Sequence, residues 1–157
     1  QFERFGGGLE AAIVLSVVGE GMPLIYSGQE AGNPKRLAFF EKDPIVWREH
    51  PIGDLYRTLF ALKRENTALW NARWGARMVQ VVNSEPDAVF SFVRQNDRDK
   101  VFAAINFSDE EQTVAFGVEG ESPSHGEYTA YFSGATVHVD ADTRVTLEPW
   151  GYRVFVG

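Results

Sequence analysis

Residues 88–108 read AVFSFVRQNDRDKVFAAINFS, and this run indicates the class of fold. Two apolar runs rich in Val, Phe and Ala lie on either side of the polar residues 96–99. Short β-branched and aromatic runs bounded by Asn and Asp are typical of antiparallel strands joined by a tight turn. The run therefore predicts two strands, at 88–95 and 100–107, with a hairpin turn between them.

The same pattern extends in both directions, from residue 76 to the end of the sequence. Short runs rich in Val, Phe, Tyr and Thr are separated by turns of Pro, Gly, Ser and Asp. The predicted strands are 77–82, 88–95, 100–107, 112–118, 127–132, 136–139, 143–147 and 152–156. Short strands at this spacing indicate an antiparallel β-sandwich. We expect residues 76–157 to form an all-β domain, and a domain of roughly 80 residues is only marginally stable alone.

Residues 1–75 follow a different pattern, in which a helix precedes an apolar run. Leu9–Val18 (LEAAIVLSVV) is apolar almost all round and is followed by Gly19, so it predicts a helix that is covered on both sides. Met22–Tyr26 (MPLIY) is continuously apolar, which predicts a strand buried on both faces. A helix, a glycine turn and a buried strand make one step of an α/β architecture.

A second helix is predicted at 53–67 (GDLYRTLFALKRENT), after an ordered loop at 29–52. Asp54 lies in its first turn, and Lys63 and Arg64 lie in its last turn, where the helix dipole favours these charges. The sequence is thus predicted to be mainly β, with a helix–strand–helix segment before the β-sandwich.

Length and composition exclude several classes of protein. The sequence has 157 residues, with 15 Lys and Arg against 22 Asp and Glu, so its net charge is −7. A complete (β/α)8 barrel takes roughly 250 residues and does not fit. The acidic balance argues against a nucleic-acid partner, which needs clustered Lys and Arg. The longest apolar run, Leu9–Val18, is shorter than the roughly 20 residues that span a bilayer, so no membrane partner is predicted.

No metal or cofactor site is predicted. The three histidines, His50, His125 and His138, are scattered, and none is spaced from another ligand as a metal site requires. The sequence contains no cysteine, which excludes thiolate ligands and a disulfide scaffold.

Carboxylates are the candidates for chemistry, because a retaining glycosidase needs two of them about 5–5.5 Å apart. Glu30 follows the predicted strand by four residues, where α/β folds place ligand-facing groups. Glu41, Asp43 and Asp54 are alternative partners, and spacing does not choose among them. A structural role for Glu30, bonded to loop backbone or to Arg36, is an equally good interpretation.

Aromatic residues make up 13% of the sequence, and they include four tryptophans. An exposed indole can stack on the apolar face of a pyranose ring, whereas tryptophans at the edges of helices and strands more often belong to the core. The tryptophans are Trp47, Trp70, Trp74 and Trp150.

Residues 21–30 (GMPLIYSGQE) closely resemble the G-x-P-L-I-Y-x-G-Q-E segment of the α-amylase family of glycoside hydrolases, family 13. In that family the segment forms the eighth barrel strand and the loop that leaves it. Leu9–Gly19 then resembles the seventh barrel helix, and residues 35–69 resemble the approach to the last barrel helix and that helix itself. Val101–Ser108 and Leu147–Tyr152 resemble parts of the carboxy-terminal β-domain, including its closing L-x-P-W-x-Y turn.

The resemblance implies a domain organisation. Residues 1–75 would be the end of a catalytic (β/α)8 barrel, with its last helices and its eighth strand, and residues 76–157 would be the β-domain. We expect residues 1–30 to lie against the β-domain, the 53–67 helix or a second copy of the chain. A bare strand at 22–26 would also be a template for dimerisation.

The resemblance also implies a function. The parent enzyme would act on α-glucans or maltooligosaccharides by a retaining mechanism. The family's catalytic carboxylates come from earlier strands, and none of their motifs is present here, so no catalytic residue is assigned and the chain is expected to be inactive alone. Tyr26, Gln29 and Glu30 match positions at the rim of the substrate cleft.

The tryptophans offer a second type of site. Trp70 and Trp74 lie four residues apart just after the predicted helix, and they are candidates for stacking on a glucan. The expected partners are an α-glucan bound through the parent enzyme, and either the missing barrel portion or a second copy. The alternative function is a carbohydrate-binding or interaction module of β-sandwich type, without catalysis. The sequence leaves the cellular compartment open.

Overall fold

The structure, a computed structural model, describes residues 2–38, 40–117 and 122–157. Its helices are α1 (Phe2–Phe5), α2 (Leu9–Val18) and α3 (Pro51–Glu65), and its 3-10 turns are Gly6–Gly8, Thr67–Leu69 and Ala72–Trp74. Its strands are β1 (Met78–Gln80), β2 (Val89–Gln95), β3 (Lys100–Asn106), β4 (Gln112–Ala115), β5 (Gly126–Ala130), β6 (Thr136–Val139), β7 (Arg144–Leu147) and β8 (Tyr152–Val156).

The strands form two antiparallel sheets. The larger sheet has six strands in the order β1-β2-β3-β8-β5-β6, and the smaller sheet pairs β4 with β7. In the central pair of the larger sheet, Val89 of β2 lies opposite Asn106 of β3, and Gln95 lies opposite Lys100. The turn at 96–99 closes this hairpin, since Asp99 N–H donates to Asn96 Oδ1 at 2.9 Å.

The larger sheet is covered on both faces. On β3, Val101, Ala103 and Ile105 face a core shared with α2 and α3, whereas Phe102 and Ala104 face a core shared with the smaller sheet. Successive side chains of a strand point to opposite faces, so a continuous apolar run fits a strand that is buried on both sides. The described residues thus form three layers, with helices, six-stranded sheet and two-stranded sheet in that order.

The predicted mainly-β architecture is confirmed, and a strand overlaps each of the predicted strand ranges. Val118, the last residue of the predicted strand 112–118, lies outside the described residues, as does Gln1 at the start of the predicted barrel segment. The helix at Leu9–Val18 is confirmed with the same bounds. Helix α3 begins at Pro51 rather than at 53, because proline suits the first turn and the His50 side chain caps it by accepting from Ile52 N–H.

The predicted strand at 22–26 is wrong. This segment belongs to neither sheet, and its side chains are exposed rather than buried on both faces, with Met22 at 81% and Leu24 at 86% of full exposure. Ile25 alone packs against the helical core. None of the strands in the described residues pairs with this segment, and an apolar run without a ladder partner has no reason to become a strand. The bare strand edge predicted as a template for dimerisation is therefore absent from 22–26.

The expected packing of residues 1–30 against the rest of the chain is confirmed for α2. Val14, Val17 and Val18 are fully buried in the core that α2 shares with α3 and with β3. At its amino end, α2 follows Gly7 and Gly8, which lie against the Trp150 indole. A β-carbon on Gly7 would lie 2.8 Å from that ring, so the glycine permits the close approach.

Candidate functional site

The loop that follows the 22–26 segment folds back on itself. Gln29 N–H donates to the Tyr26 carbonyl at 3.0 Å, and Asn33 N–H donates to the Gly28 carbonyl at 2.9 Å. Two predicted rim side chains reinforce the loop, since Gln29 Oε1 accepts from Tyr26 N–H at 2.6 Å and Glu30 Oε2 accepts from Gly28 N–H at 3.0 Å. Gly28 has a φ of +94°, a backbone conformation that favours glycine. The loop thus holds Glu30 through backbone bonds, which is the structural role that the sequence left open.

Arg48 fastens this loop to the segment before α3. Its guanidinium donates to the carbonyls of Ala31 at 3.1 Å and Gly32 at 2.9 Å. Gly32 lies directly against the His50 ring, where a β-carbon would approach within 2.3 Å. The loop and the amino end of α3 therefore form one surface.

A cleft of about 740 Å³ opens on this surface. Its lining residues are Glu30, Ala31, Trp47, Arg48, Glu49, His50, Gly53, Asp54 and Arg57. The Trp47 side chain is 62% exposed, and Asp54 is paired with Arg57. An exposed indole beside charged donors and acceptors can bind a polar ligand that also has an apolar face.

Tyr56 connects the cleft to the core of the helical layer. It is buried, and this burial raises the pKa of its phenol, with the nearby Glu30 carboxylate adding to the increase. The Gln29 side chain forms a hydrogen bond to the same phenol, which acts in the opposite direction on the pKa. The phenol therefore stays protonated and holds Gln29 in place at neutral pH.

The structure places the three predicted rim residues in different surroundings. Glu30 lines the cleft, Gln29 lies behind it against Tyr56, and Tyr26 points to solvent at 59% exposure outside the lining set. The alternative carboxylate Asp43 is engaged elsewhere, because Lys35 and Ala38 N–H bind it and lower its pKa. The assignment of Tyr26, Gln29 and Glu30 to a substrate rim remains a prediction.

Sequence reasoning missed the contribution of residues 47–57 to this cleft. Trp47 and Asp54 were singled out by type, but the sequence does not show that the loop after residue 26 meets the start of α3. The only sequence feature that could have indicated this contribution is the cluster of charged residues around the prolines at 44 and 51. That cluster indicates an exposed segment without saying what it faces.

The two tryptophans after α3 do not form one platform. Trp70 is 40% exposed, and its Nε1–H donates to the Arg64 carbonyl at 3.2 Å. Trp74 is 63% exposed, and the Arg73 guanidinium lies 4.7 Å from the centre of its ring. The shallow depression that Trp70 lines does not include Trp74. The exposure of Trp47 and Trp74 shows that the core interpretation is wrong for these two.

Within the described ranges, no cluster of three or more His, Cys, Asp or Glu side chains is placed to hold a metal ion. Around His138, for example, Glu127 contacts Nδ1 and Asp140 contacts Nε2, on opposite sides of the ring, so the three side chains do not converge on one point. Among the same residues, no helix is both long and apolar enough to cross a bilayer.

The β-strand part of the chain matches a known protein family. Residues 79–154 match the family described as Maltogenic Amylase, C-terminal domain. An α-glucosidase of Saccharomyces cerevisiae is 31% identical over 77 residues, which cover 49% of this chain and 12% of the yeast protein. The α-amylase MalA of Haloarcula japonica is 29% identical over 128 residues, covering 77% of this chain and 19% of that protein.

Solved structures agree on the fold. The maltogenic α-amylase AmyB of Thermotoga neapolitana superposes with a TM-score of 0.78 at 18% identity, covering 97% of this chain and 36% of that protein. An Anoxybacillus α-amylase superposes with a TM-score of 0.70 at 19% identity, covering 94% of this chain and 31% of that protein. The chain thus spans about a third or less of the relatives that it matches. Residues 79–154 thus belong to the C-terminal domain family of maltogenic amylases, and the fold of the chain is that of the carboxy-terminal part of α-amylases, including their β-domain.

Proposed function

We propose that this chain serves an α-amylase-type glycoside hydrolase that acts on α-glucans by a retaining mechanism. Within that enzyme, residues 1–75 would complete the catalytic barrel, and residues 76–157 would form a β-domain that braces it. The chain alone would not be a catalyst. The observation that carries the proposal is the way in which the β-domain holds the carboxyl end of α2.

Arg94 of β2 makes this connection. Its guanidinium is 1% exposed and donates to the carbonyls of Gly19 at 2.7 Å, Ala76 at 2.9 Å and Trp70 at 2.9 Å. The carbonyls at the end of a helix lack intrahelical partners, so a cation placed there satisfies them and interacts favourably with the helix dipole. One side chain of the sheet thus joins the end of α2 to the chain that enters β1.

Lys63 of α3 extends the same network. It is buried, and its Nζ donates to the carbonyls of Leu69 at 2.8 Å, Val17 at 3.1 Å and Gly21 at 3.2 Å. The sequence pattern places Lys63 in the last turn of its helix, which the structure confirms, and the structure adds that the side chain is buried there. Buried cations persist where several carbonyls surround them, so these residues favour a bracing role.

Three of the carboxylates that the structure describes have structural partners, which supports the absence of catalysis in this chain. Glu30 accepts from loop backbone, Asp54 pairs with Arg57, and Asp99 accepts from Thr67 N–H at 2.8 Å. A retaining pair needs one carboxylate free to attack and another free to donate a proton. The catalytic groups of the proposed enzyme would come from barrel strands outside this sequence.

The exposed apolar residues of 22–47 support a missing barrel portion as partner. They are Met22, Leu24, Tyr26, Phe40, Val46 and Trp47, each between 59% and 92% exposed. Large apolar side chains that are exposed in one segment favour an interaction site. In the proposed enzyme, the neighbouring barrel elements would cover it.

An assay on the purified chain tests the absence of catalysis. Incubation with maltoheptaose and with 4-nitrophenyl α-glucoside is expected to release no product, for the wild type and for Glu30→Gln alike. Turnover that Glu30→Gln abolishes would contradict the proposal.

Hydrogen exchange tests the bracing role. The amides of α2 are expected to share the protection of the β3 amides, because both belong to one core. In Arg94→Met, protection of α2 should fall more than protection of β7, which lies in the smaller sheet. Equal loss in both elements would contradict a specific brace.

A further inference from the structure

A second cleft lies on the β-domain and shares no lining residue with the cleft beside Glu30. It has a volume of about 550 Å³, which is within the range of ligand pockets. The turn after β5 and the turn before β8 form its walls. Its lining residues are Ala130, Tyr131, Phe132, Ser133, Glu148, Gly151, Tyr152, Arg153 and Val154.

One wall of this cleft is aromatic. The Phe132 side chain is 45% exposed and lies between two tyrosines, with ring centres 5.6 Å from Tyr131 and 5.5 Å from Tyr152. Both phenols are anchored to helices, since Tyr131 OH donates to the Thr58 carbonyl at 3.0 Å and Tyr152 OH donates to a Glu10 carboxylate oxygen at 3.1 Å. The rings are therefore held in place before any ligand arrives, which reduces the entropic cost of binding.

The other wall is an ion pair with planar geometry. The two terminal nitrogens of Arg153 each donate to one oxygen of Glu148, both at 3.0 Å. These bonds lower the pKa of Glu148, so its carboxylate is ionised and acts only as an acceptor at neutral pH. Each carboxylate oxygen has a second acceptor position, and the Glu148 side chain is 61% exposed.

The backbone fixes this pair at the cleft. Asn106 Nδ2 donates to the Glu148 carbonyl at 2.9 Å, and Asn106 N–H donates to the Gly151 carbonyl at 2.8 Å. A β-carbon on Gly151 would lie 2.9 Å from a Glu148 carboxylate oxygen, so glycine leaves the carboxylate room at this point. The acceptor and the rings therefore occupy fixed positions relative to each other.

The chemistry of the two walls selects a type of ligand. The Arg153–Glu148 pair has no net charge, so it favours neither an anion nor a cation. Its free acceptor positions suit hydroxyl groups, and the exposed ring suits an apolar face made of C–H groups. A neutral molecule with hydroxyls around its edge and C–H groups on its face is a sugar.

We propose that this cleft is a non-catalytic binding site for an α-glucan, with Phe132 as the stacking residue and Glu148 as the acceptor for hydroxyls. The choice of an α-linked glucan rests on the proposed function, whereas the preference for a sugar rests on the cleft. The site would hold a glucan on the β-domain while the cleft beside Glu30 faces the barrel.

A titration followed by ¹H–¹⁵N NMR tests the site directly. Maltoheptaose added to the purified chain is expected to shift the amide signals of Phe132, Gly151 and Arg153, with a dissociation constant on the order of 1 mM. Phe132→Ala should weaken binding at least about tenfold, because stacking on an aromatic ring contributes that much. Glu148→Gln should weaken it less, by roughly threefold to tenfold, because an amide oxygen still accepts.

Matched controls separate this site from other aromatic residues. Phe107→Ala removes a phenylalanine of similar exposure, 37%, that does not line the cleft, and it should leave the affinity unchanged. Cellobiose and maltose, compared at equal concentration, separate an α-glucan site from a general sugar site. Far-UV circular dichroism establishes that each variant is folded.

Three results would overturn the proposal. The first is no shift at these amides with wild type, and the second is equal affinity in wild type and Phe132→Ala, which would move binding to Trp70 or Trp74. The third is a dimer in analytical ultracentrifugation that Phe132→Ala converts to monomer, which would make the cleft an interface between copies. Failure here leaves the bracing role intact, because that role is measured by hydrogen exchange and needs no sugar.

Discussion

Residues 22–47 and residues 76–157 are both rich in apolar side chains, yet the chain buries only the second group. In the β-domain, Phe102, Phe116 and Leu147 are fully buried, whereas in the earlier segment Leu24 is 86% exposed and Phe40 is 92% exposed. The difference lies in backbone partners, because β3 has β2 on one side and β8 on the other, while 22–26 has no strand beside it. Apolar composition therefore favours burial only where the chain also supplies the opposing surface.

Helices α2 and α3 pack with the buried region. α2 is apolar almost all round, and it is covered by α3 on one side and by the larger sheet on another. Arg94 and Lys63 then satisfy carbonyls at its carboxyl end. The following predictions alter these connections, beginning with the one that should matter most.

Replacing the buried guanidinium should have the largest effect. Arg94→Met leaves the carbonyls of Gly19, Trp70 and Ala76 without their donor, and it should lower the free energy of unfolding by about 3 kcal/mol. Unfolding in guanidinium chloride measures this free energy. Arg98→Met, in the exposed turn of the same hairpin, should change the free energy of unfolding by less than about 0.5 kcal/mol. Similar losses in both variants would show that Arg94 does not join the two regions.

The buried lysine should make stability depend on pH in the alkaline range. Burial lowers the pKa of Lys63 from 10.5 to about 8, with Arg94 adding to the effect. The unfolded chain therefore binds more protons than the folded chain between these values, and the free energy of unfolding should rise with pH there. Between pH 8 and 9.5 we expect Lys63 to contribute a rise on the order of 1–2 kcal/mol, which Lys63→Met should remove. Burial also lowers the pKa of Lys100, so a smaller rise from that group should remain.

Two features make this lysine experiment interpretable. In Lys42→Met, which changes an exposed position, the free energy of unfolding should still rise with pH as in the wild type. Tyr128 and Tyr152 have raised pKa values through burial, so they act in the opposite direction only above their ordinary value of 10.0, outside the chosen interval. A rise of the same size in Lys63→Met would mean that another group causes it.

The contact between the β2–β3 turn and the end of α3 should contribute less. Thr67 donates to the Asp99 carboxylate through its amide and its hydroxyl, and these bonds lower the pKa of Asp99 below 3.8. Asp99→Asn should cost about 1 kcal/mol at neutral pH. The stabilisation is present above the unfolded pKa and is lost as pH falls through the lowered folded pKa, so the difference between wild type and variant should vanish in acid.

The same turn supplies the control for this experiment. Asp97 is exposed two residues away, and Asp97→Asn should leave the free energy of unfolding within about 0.5 kcal/mol of wild type. An equal effect of the two substitutions would point to the general charge of the turn rather than to Thr67.

The smallest effect is expected in the exposed segment. Leu24→Ala should change stability by less than about 0.5 kcal/mol, because the side chain already lies in water. Leu59→Ala, at a position with no exposure, should cost about 2–5 kcal/mol. A large loss for Leu24→Ala in unfolding experiments would show that the isolated chain covers this segment, and that the contrast between the two regions is wrong.

The candidate clefts show how far sequence reasoning extends to a site. Glu30 was singled out by its position after an apolar run, and it lines a cleft, although its assignment to a substrate rim remains a prediction. The second cleft was not foreseen, because Phe132 lies in the turn after β5 and Tyr152 lies 20 positions later at the start of β8, and they meet only when β5 pairs with β8. A local sequence pattern does not indicate a contact between residues so far apart in the chain.

Periodicity and turn chemistry were enough to indicate the strands, the bounds of α2 and the mainly-β class, because these depend on residues close together in the chain. Folding in three dimensions decided that MPLIY stays unpaired, that Lys63 and Arg94 are buried, and that rings from the β5 turn and from β8 form one wall of a cleft. Those outcomes depend on which backbone groups find partners far along the chain. The residues of a single run do not indicate which distant segments will pack against it, so only the tertiary structure determines these contacts.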